Sequence, residues 1–97
     1  MSDDAPDKVD RQIAKARLPQ SGQVPFVPKL KTNERGEQEI VKARSQYGPK
    51  RKKKGYVDIN GRIWIKERAH SGQPDHWDVQ IDEGQRYIKV DFQGNQL

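Results

Sequence analysis

Two histidines and three carboxylates stand within twelve residues of one another: Glu67, His70, Asp75, His76 and Asp78. Imidazole suits either proton role near neutral pH, and a carboxylate serves as a base or holds the ring in orientation. Lys66, Arg68, Arg86 and Lys89 are near in sequence and supply cations for a developing phosphorane charge. RNA carries its own nucleophile, the 2′-hydroxyl. A base for its proton, an acid for the leaving 5′-oxygen and a cation are then sufficient, with no metal or cofactor. The candidate catalytic set is Glu67, His70, Asp75, His76, Asp78 and Lys89. Metal binding is the weaker chemistry. His70, Asp75, His76 and Asp78 could hold one divalent ion, but their spacing matches no metal motif, and neither His-x-x-x-His nor a cysteine pair is present.

A run of five basic residues, Lys50, Arg51, Lys52, Lys53 and Lys54, precedes this cluster. Such a run cannot be buried; alone it reads as a solvated tether, and beside acid-base groups it reads as a phosphate track. Net charge is +5, with a local −3 over residues 1–10, which leaves +8 on the remainder. A basic body of this size attracts polyanions in a salt-dependent way. Arg62, Trp64 and Lys66 complete the candidate RNA-binding set; for Trp64, stacking on a base and packing under a covering arm are equally open.

The elements that must position these groups follow from patterning. The chain has 97 residues, 31% hydrophobic and 34% charged, which allows one domain with a small core. Cysteine is absent, no apolar run approaches the roughly 20 residues that span a bilayer, and no signal-peptide core opens the chain. The expectation is a soluble module without a membrane anchor, which a longer parent protein could carry elsewhere. Residues 1–20 read as an acidic flexible start and a short amphipathic helix from Lys8 to Leu18, stopped by Pro19. Residues 21–49 read as an extended arm rich in proline and glycine, with helix or strand left open between Thr32 and Tyr47.

Residues 50–97 read as the basic core. Tyr56–Asp58 and Arg62–Lys66 flank Asn60-Gly61, whose two residues both tolerate positive φ, and Asp75–Ile81 and Gln85–Phe92 flank a second turn. Period two predicts Ile63, Ile65, Trp77, Val79, Ile81, Ile88 and Val90 inward, with Arg62, Trp64, Lys66, His76, Asp78, Gln80, Tyr87, Lys89 and Asp91 on a polar face. Neither histidine falls in the core on this pattern. The predicted fold is α+β: a small twisted antiparallel sheet of about four strands, with the helix and arm packed on one face.

Gly-Pro-Lys-Arg-Lys-Lys-Lys (48–54), the segment from Gly61 to His70, Glu83-Gly84-Gln85 and the closing Gly94-Asn95-Gln96-Leu97 resemble the cytotoxic ribonuclease domain of the rRNA-cleaving colicins and cloacins. Tyr-Val-Asp (56–58), Gly-Arg-Ile-Trp (61–64) and His-Trp-Asp-Val-Gln (76–80) resemble C-terminal modules of contact-dependent and other polymorphic bacterial toxins. The likeness covers about the last 50 residues. It implies a toxin, secreted or delivered within a larger protein, that acts in the cytoplasm of a competing bacterium. Its substrate would be small-subunit rRNA at the decoding site, and an acidic immunity protein would protect the producer. The family's aspartate and histidine, three residues apart, correspond to Glu67 and His70, and its later glutamate to Asp75 or Asp78. Glutamate stands here where the family has aspartate. The family's late arginine has no counterpart after Leu97, so Lys89 or Arg86 would take its place. Cleavage of tRNA or another RNA, a nuclease acting on DNA, and a non-catalytic RNA- or ribosome-binding protein are the alternatives.

Overall fold

The computed structural model describes residues 8–45, 53–67, 72, 75–81 and 86–97. The expected positions Lys50, Arg51, Lys52 and His70 lie outside the described residues. Helix α1 (Lys8–Ala16) buries Val9 and Ile13, one turn apart on the same face. It ends before Leu18 because Arg17 adopts φ 62°, a left-handed residue that closes the helix. The Arg17 amide donates to the Ala14 carbonyl at 3.2 Å, and the Leu18 amide to the Ile13 carbonyl at 3.1 Å. This paired cap satisfies the last carbonyls and brings Leu18 down beside Ile13, both buried.

Seven strands follow among the described residues. β1 (Leu30–Thr32) and β2 (Gln38–Ile40) form a separate two-stranded sheet. β3 (Lys42–Arg44), β4 (Lys54–Val57), β5 (Ile63–Glu67), β6 (His76–Ile81) and β7 (Arg86–Asp91) form the main sheet in that order, each pair antiparallel. The fold is α+β as expected, with five strands in the main sheet rather than four. The additional strand, β3, comes from the stretch whose sequence left helix or strand open.

The first hairpin turn contains Asn60 and Gly61, both able to take positive φ. Only Gly61 does, at 82°, within a three-residue loop. The Gly61 amide donates to the Asp58 carbonyl, and the Asp58 carboxylate accepts the amides of Asn60 and Arg62 at 3.0 and 2.9 Å. The same arrangement joins β1 to β2 through Asn33 and Gly36, and turns the chain after β7 through Asp91 and Gly94. The rule is an Asn or Asp side chain that binds the amides two and four residues on, with glycine at the third position.

One sheet face carries the core. Trp64 meets Phe26 of the arm edge-on at 5.3 Å between ring centroids and Trp77 at 6.3 Å; Trp77 also meets Tyr56 and Phe92 at 6.2 and 6.0 Å. Val9, Ile13, Leu18, Ile40, Val79 and Val90 complete the cluster. The Trp77 indole N–H donates to the Arg17 carbonyl at 3.2 Å, which ties the helix end to the sheet. Between Trp64, Trp77 and this cover there is no room for solvent, so the helix and arm supply the burial that so hydrophilic a chain needs.

The arm is sealed against the C-terminal turn by two glycines. Val24 donates its amide to the Gly94 carbonyl at 2.8 Å, with Gly22 at φ 93° and Gly94 at φ 88°. A Cβ on Gly94 would overlap the Ser21 carbonyl oxygen, which no side-chain rotation relieves. Gly94→Ala should therefore lower stability by about 3 kcal/mol or more and the thermal midpoint by at least ~10 °C. Gly36→Ala, where a Cβ meets nothing within 4 Å, should cost only the left-handed conformation, about 1 kcal/mol. Thermal unfolding of the two variants side by side separates the close approach from the dihedral.

Candidate active site

The opposite face of the main sheet carries the chemistry-bearing groups, and register decides which ones. β5 and β6 pair Glu67 with His76, Ile65 with Asp78 and Ile63 with Gln80. β6 and β7 pair His76 with Asp91, Asp78 with Lys89 and Gln80 with Tyr87. Residues directly opposite in an antiparallel ladder share a face, with Cβ atoms about 5 Å apart. Three rows therefore cross this face: Glu67–His76–Asp91, Ile65–Asp78–Lys89 and Ile63–Gln80–Tyr87.

Within this arrangement His76 Nε2 lies 3.3 Å from Asp78 Oδ1, and both side chains are buried. The Ser45 hydroxyl, just past β3, donates to Gln80 Oε1 in a buried hydrogen bond. Lys53 Nζ, just before β4, donates to Glu67 Oε1 at 3.3 Å. Glu67 retains partial exposure, 12% of its side chain, and Lys53 is open to solvent. The face is thus graded, from the buried His76–Asp78 pair and Gln80 outward to a reachable carboxylate with an ammonium group beside it.

The sequence placed Trp64, Arg62 and Lys66 on this face, and the structure places none of them there. Trp64 is 0% exposed and lies under the arm against Phe26, so its ring has no surface left for a base. Its indole N–H donates to Asp58 Oδ2 at 2.9 Å, and the same oxygen accepts Arg62 Nε at 2.7 Å. Arg62 is thereby engaged at the hairpin end of β5, remote from Glu67. Lys66 lies over the rings of Trp77 and Phe92, at 5.8 and 5.4 Å, on the core side. The cause is one of parity. The inward set expected in β5 was Ile63 and Ile65, but the strand turns Trp64 inward instead and so delivers Glu67 to the face of His76 and Asp78.

His76 and Asp78 do lie on the face predicted for them, but they are buried rather than exposed: His76 is 1% accessible and Asp78 2%. Ser45, just past β3, reaches Gln80 although β3 lies three strands from β6 in the sheet, so the sheet curls over this face, and Ile63 and Ile65 stand beside the pair. Asp75 precedes β6 and is exposed. Lys53 and Lys54 are consecutive at the start of β4 and so diverge: Lys53 reaches Glu67, while Lys54 lines a shallow depression with Lys31, Glu39 and Lys42 on the other side.

Asp58 and Ser45 escaped the sequence reading. For Asp58 the signal was available in the shared spacing of Asn33 to Gly36, Asp58 to Gly61 and Asp91 to Gly94; for Ser45, whose partner Gln80 is 35 residues away, there was none. Because His76 is buried beside Asp78, His76→Ala should not behave as a silent surface change. The expected cost is about 2 kcal/mol or more, from the space left and the altered setting of Asp78. Chemical denaturation of this variant, with unchanged stability as the contrary result, is the check.

Among the described residues no group of three His, Cys, Asp or Glu side chains converges as a metal ion would need. No family model, no curated protein and no solved structure matches this chain.

Proposed function

We propose that this chain is an endoribonuclease that cleaves RNA by transesterification through the 2′-hydroxyl, without a metal ion. The observation that carries the reading is the graded face, where the Glu67 carboxylate, with Lys53 Nζ at 3.3 Å, stands beside the buried His76–Asp78 pair and in the row next to Lys89. In this reading Glu67 accepts the proton of the 2′-hydroxyl as its oxygen attacks phosphorus. His70, three residues beyond Glu67 in the chain, protonates the departing 5′-oxygen. Lys53 and Lys89 offset the charge that builds on the phosphorane oxygens. The products are a 2′,3′-cyclic phosphate and a free 5′-hydroxyl, and water later opens the cycle.

The burial of His76 supports a positioning role rather than direct proton transfer. Opposite Glu67 in the ladder and 3.3 Å from Asp78, it fills the position beside the carboxylate on the same face. The likeness to the rRNA-cleaving toxins further supports small-subunit rRNA as the substrate, delivery into a competing bacterium, and neutralisation by an acidic immunity protein. The basic body suits both polyanions.

Incubation of total bacterial RNA with the protein and EDTA, followed by mapping of the ends, tests the reading. Cleavage should persist with chelator and leave cyclic phosphate ends, and DNA should be untouched. Glu67→Gln and His70→Ala should each lower the saturated single-turnover rate by about 100-fold or more. Loss of cleavage with EDTA, restored by a divalent ion, would overturn it. Cuts in tRNA would move the substrate, and tight binding without any cut would favour a non-catalytic RNA-binding protein.

The split of the basic track gives a second test. Lys54→Ala should reduce the slope of log affinity against log salt by about one unit and leave the saturated rate unchanged. Lys53→Ala should lower that rate, because it removes the cation beside Glu67. Equal behaviour of the two variants would be contrary to the proposed geometry.

A further inference from the structure

With Trp64 enclosed, the face described above has no indole on which a base could stack. We propose that Tyr87 is the stacking platform, and that it takes an unpaired base next to the scissile phosphate of a single-stranded RNA. This inference rests on the ribonuclease reading and adds to it the conformation of the substrate.

Three observations lead to Tyr87. Among the described aromatic residues, Phe26, Tyr56, Trp64, Trp77 and Phe92 are joined ring to ring in the core, whereas Tyr87 is 49% exposed. Register sets it opposite Gln80, hence on the face of His76, Asp78 and Lys89 and not on the core side. It stands two residues from Lys89 along β7, about 7 Å by strand geometry. A nucleotide that stacks its base on Tyr87 therefore brings its own phosphate toward Lys89, in the row next to Glu67.

The chemistry of the ring fits this role. A phenol offers a flat π-face with few rotatable bonds, so little freedom is lost when a base settles on it, and stacking tolerates any base. Position adds to it. β7 is an edge strand of the main sheet, and the C-terminal residues pair with it at Lys89 and Val90, beyond which Tyr87 stands. A base can approach such a ring from the side only if it has left its own stack. Bases inside a duplex have not, so the substrate this face recognises is a loop, bulge or single strand.

The test uses binding, so that it stands apart from cleavage. The full chain and its Tyr87→Ala, Tyr87→Leu and Tyr87→Phe variants are titrated, by fluorescence anisotropy, against a single-stranded 2′-O-methyl oligonucleotide, which lacks the nucleophile. Tyr87→Ala and Tyr87→Leu should weaken binding by about 10-fold, within the range for loss of one stacked base, and Tyr87→Phe by no more than about twofold. The salt slope should be the same in all four proteins, because no phosphate contact is removed. An abasic oligonucleotide of the same length should bind the wild-type chain and Tyr87→Ala alike. Unchanged affinity of Tyr87→Ala, an equal loss on the abasic strand, or no binding of the oligonucleotide by the wild-type chain overturns the proposal. Absence of cleavage in total RNA with the anisotropy pattern intact would instead refute the ribonuclease reading alone.

Discussion

The hydrogen bond from the buried Trp64 indole to Asp58 governs this structure more than any other contact. An indole N–H sealed from water must find an acceptor, and leaving it unmet would cost on the order of 1–3 kcal/mol. Asp58 Oδ2 meets that need at 2.9 Å and satisfies Arg62 with the same atom, while its other oxygen closes the turn. The carboxylate is itself 0% exposed, and these four donors compensate its removal from water. Once Trp64 is fixed inward, the alternation of β5 sends Ile65 and Glu67 to the other face. The position of the candidate base is thus a consequence of where an indole three residues earlier finds its partner.

That dependence explains what was legible in the sequence and what was not. The two C-terminal hairpins could be read because period two and turn residues are local signals, and α1 because Val9, Ile13 and Ala16 recur at helical spacing. The parity of β5 could not. Ile63, Trp64 and Ile65 are apolar at three successive positions, so either alternation buries hydrophobic groups, and the choice falls to a contact with a residue in the preceding turn. The burial of His76 and Asp78 was hidden for a related reason. Polar residues at alternate positions suggest a solvated face, but their enclosure depends on Ser45 reaching across from beyond β3 and on Ile65 taking the unexpected side.

The three Asn- or Asp-headed turns show how a chain poor in hydrophobic residues still determines its connections. Each binds backbone amides through one side-chain oxygen and closes with a left-handed glycine, at Gly36, Gly61 and Gly94. Backbone donors at a turn would otherwise be met by water alone, and the loop length, hence the register of the flanking strands, would be loosely set. Recurrence of the device on both sheets and at the C-terminal tail makes register a property of short segments rather than of the small core.

The seam between arm and C-terminal turn bears on the order of folding. Gln96 donates its amide to Gln23 across 73 residues, and Trp77 donates to Arg17 across 60, whereas the turns headed by Asp58 and Asp91 close over four. Closing a long loop costs more chain entropy than closing a short one and is repaid only when both ends have docked. The hairpins that carry the Glu67 face can therefore assemble before residues 8–26 arrive to cover the opposite side. Weakening the helix or the seam then acts mainly on the rate of unfolding, since those contacts are late, and leaves the rate of sheet assembly nearly untouched. On that order the cover acts as a kinetic lock, fastened after the Glu67 face has formed.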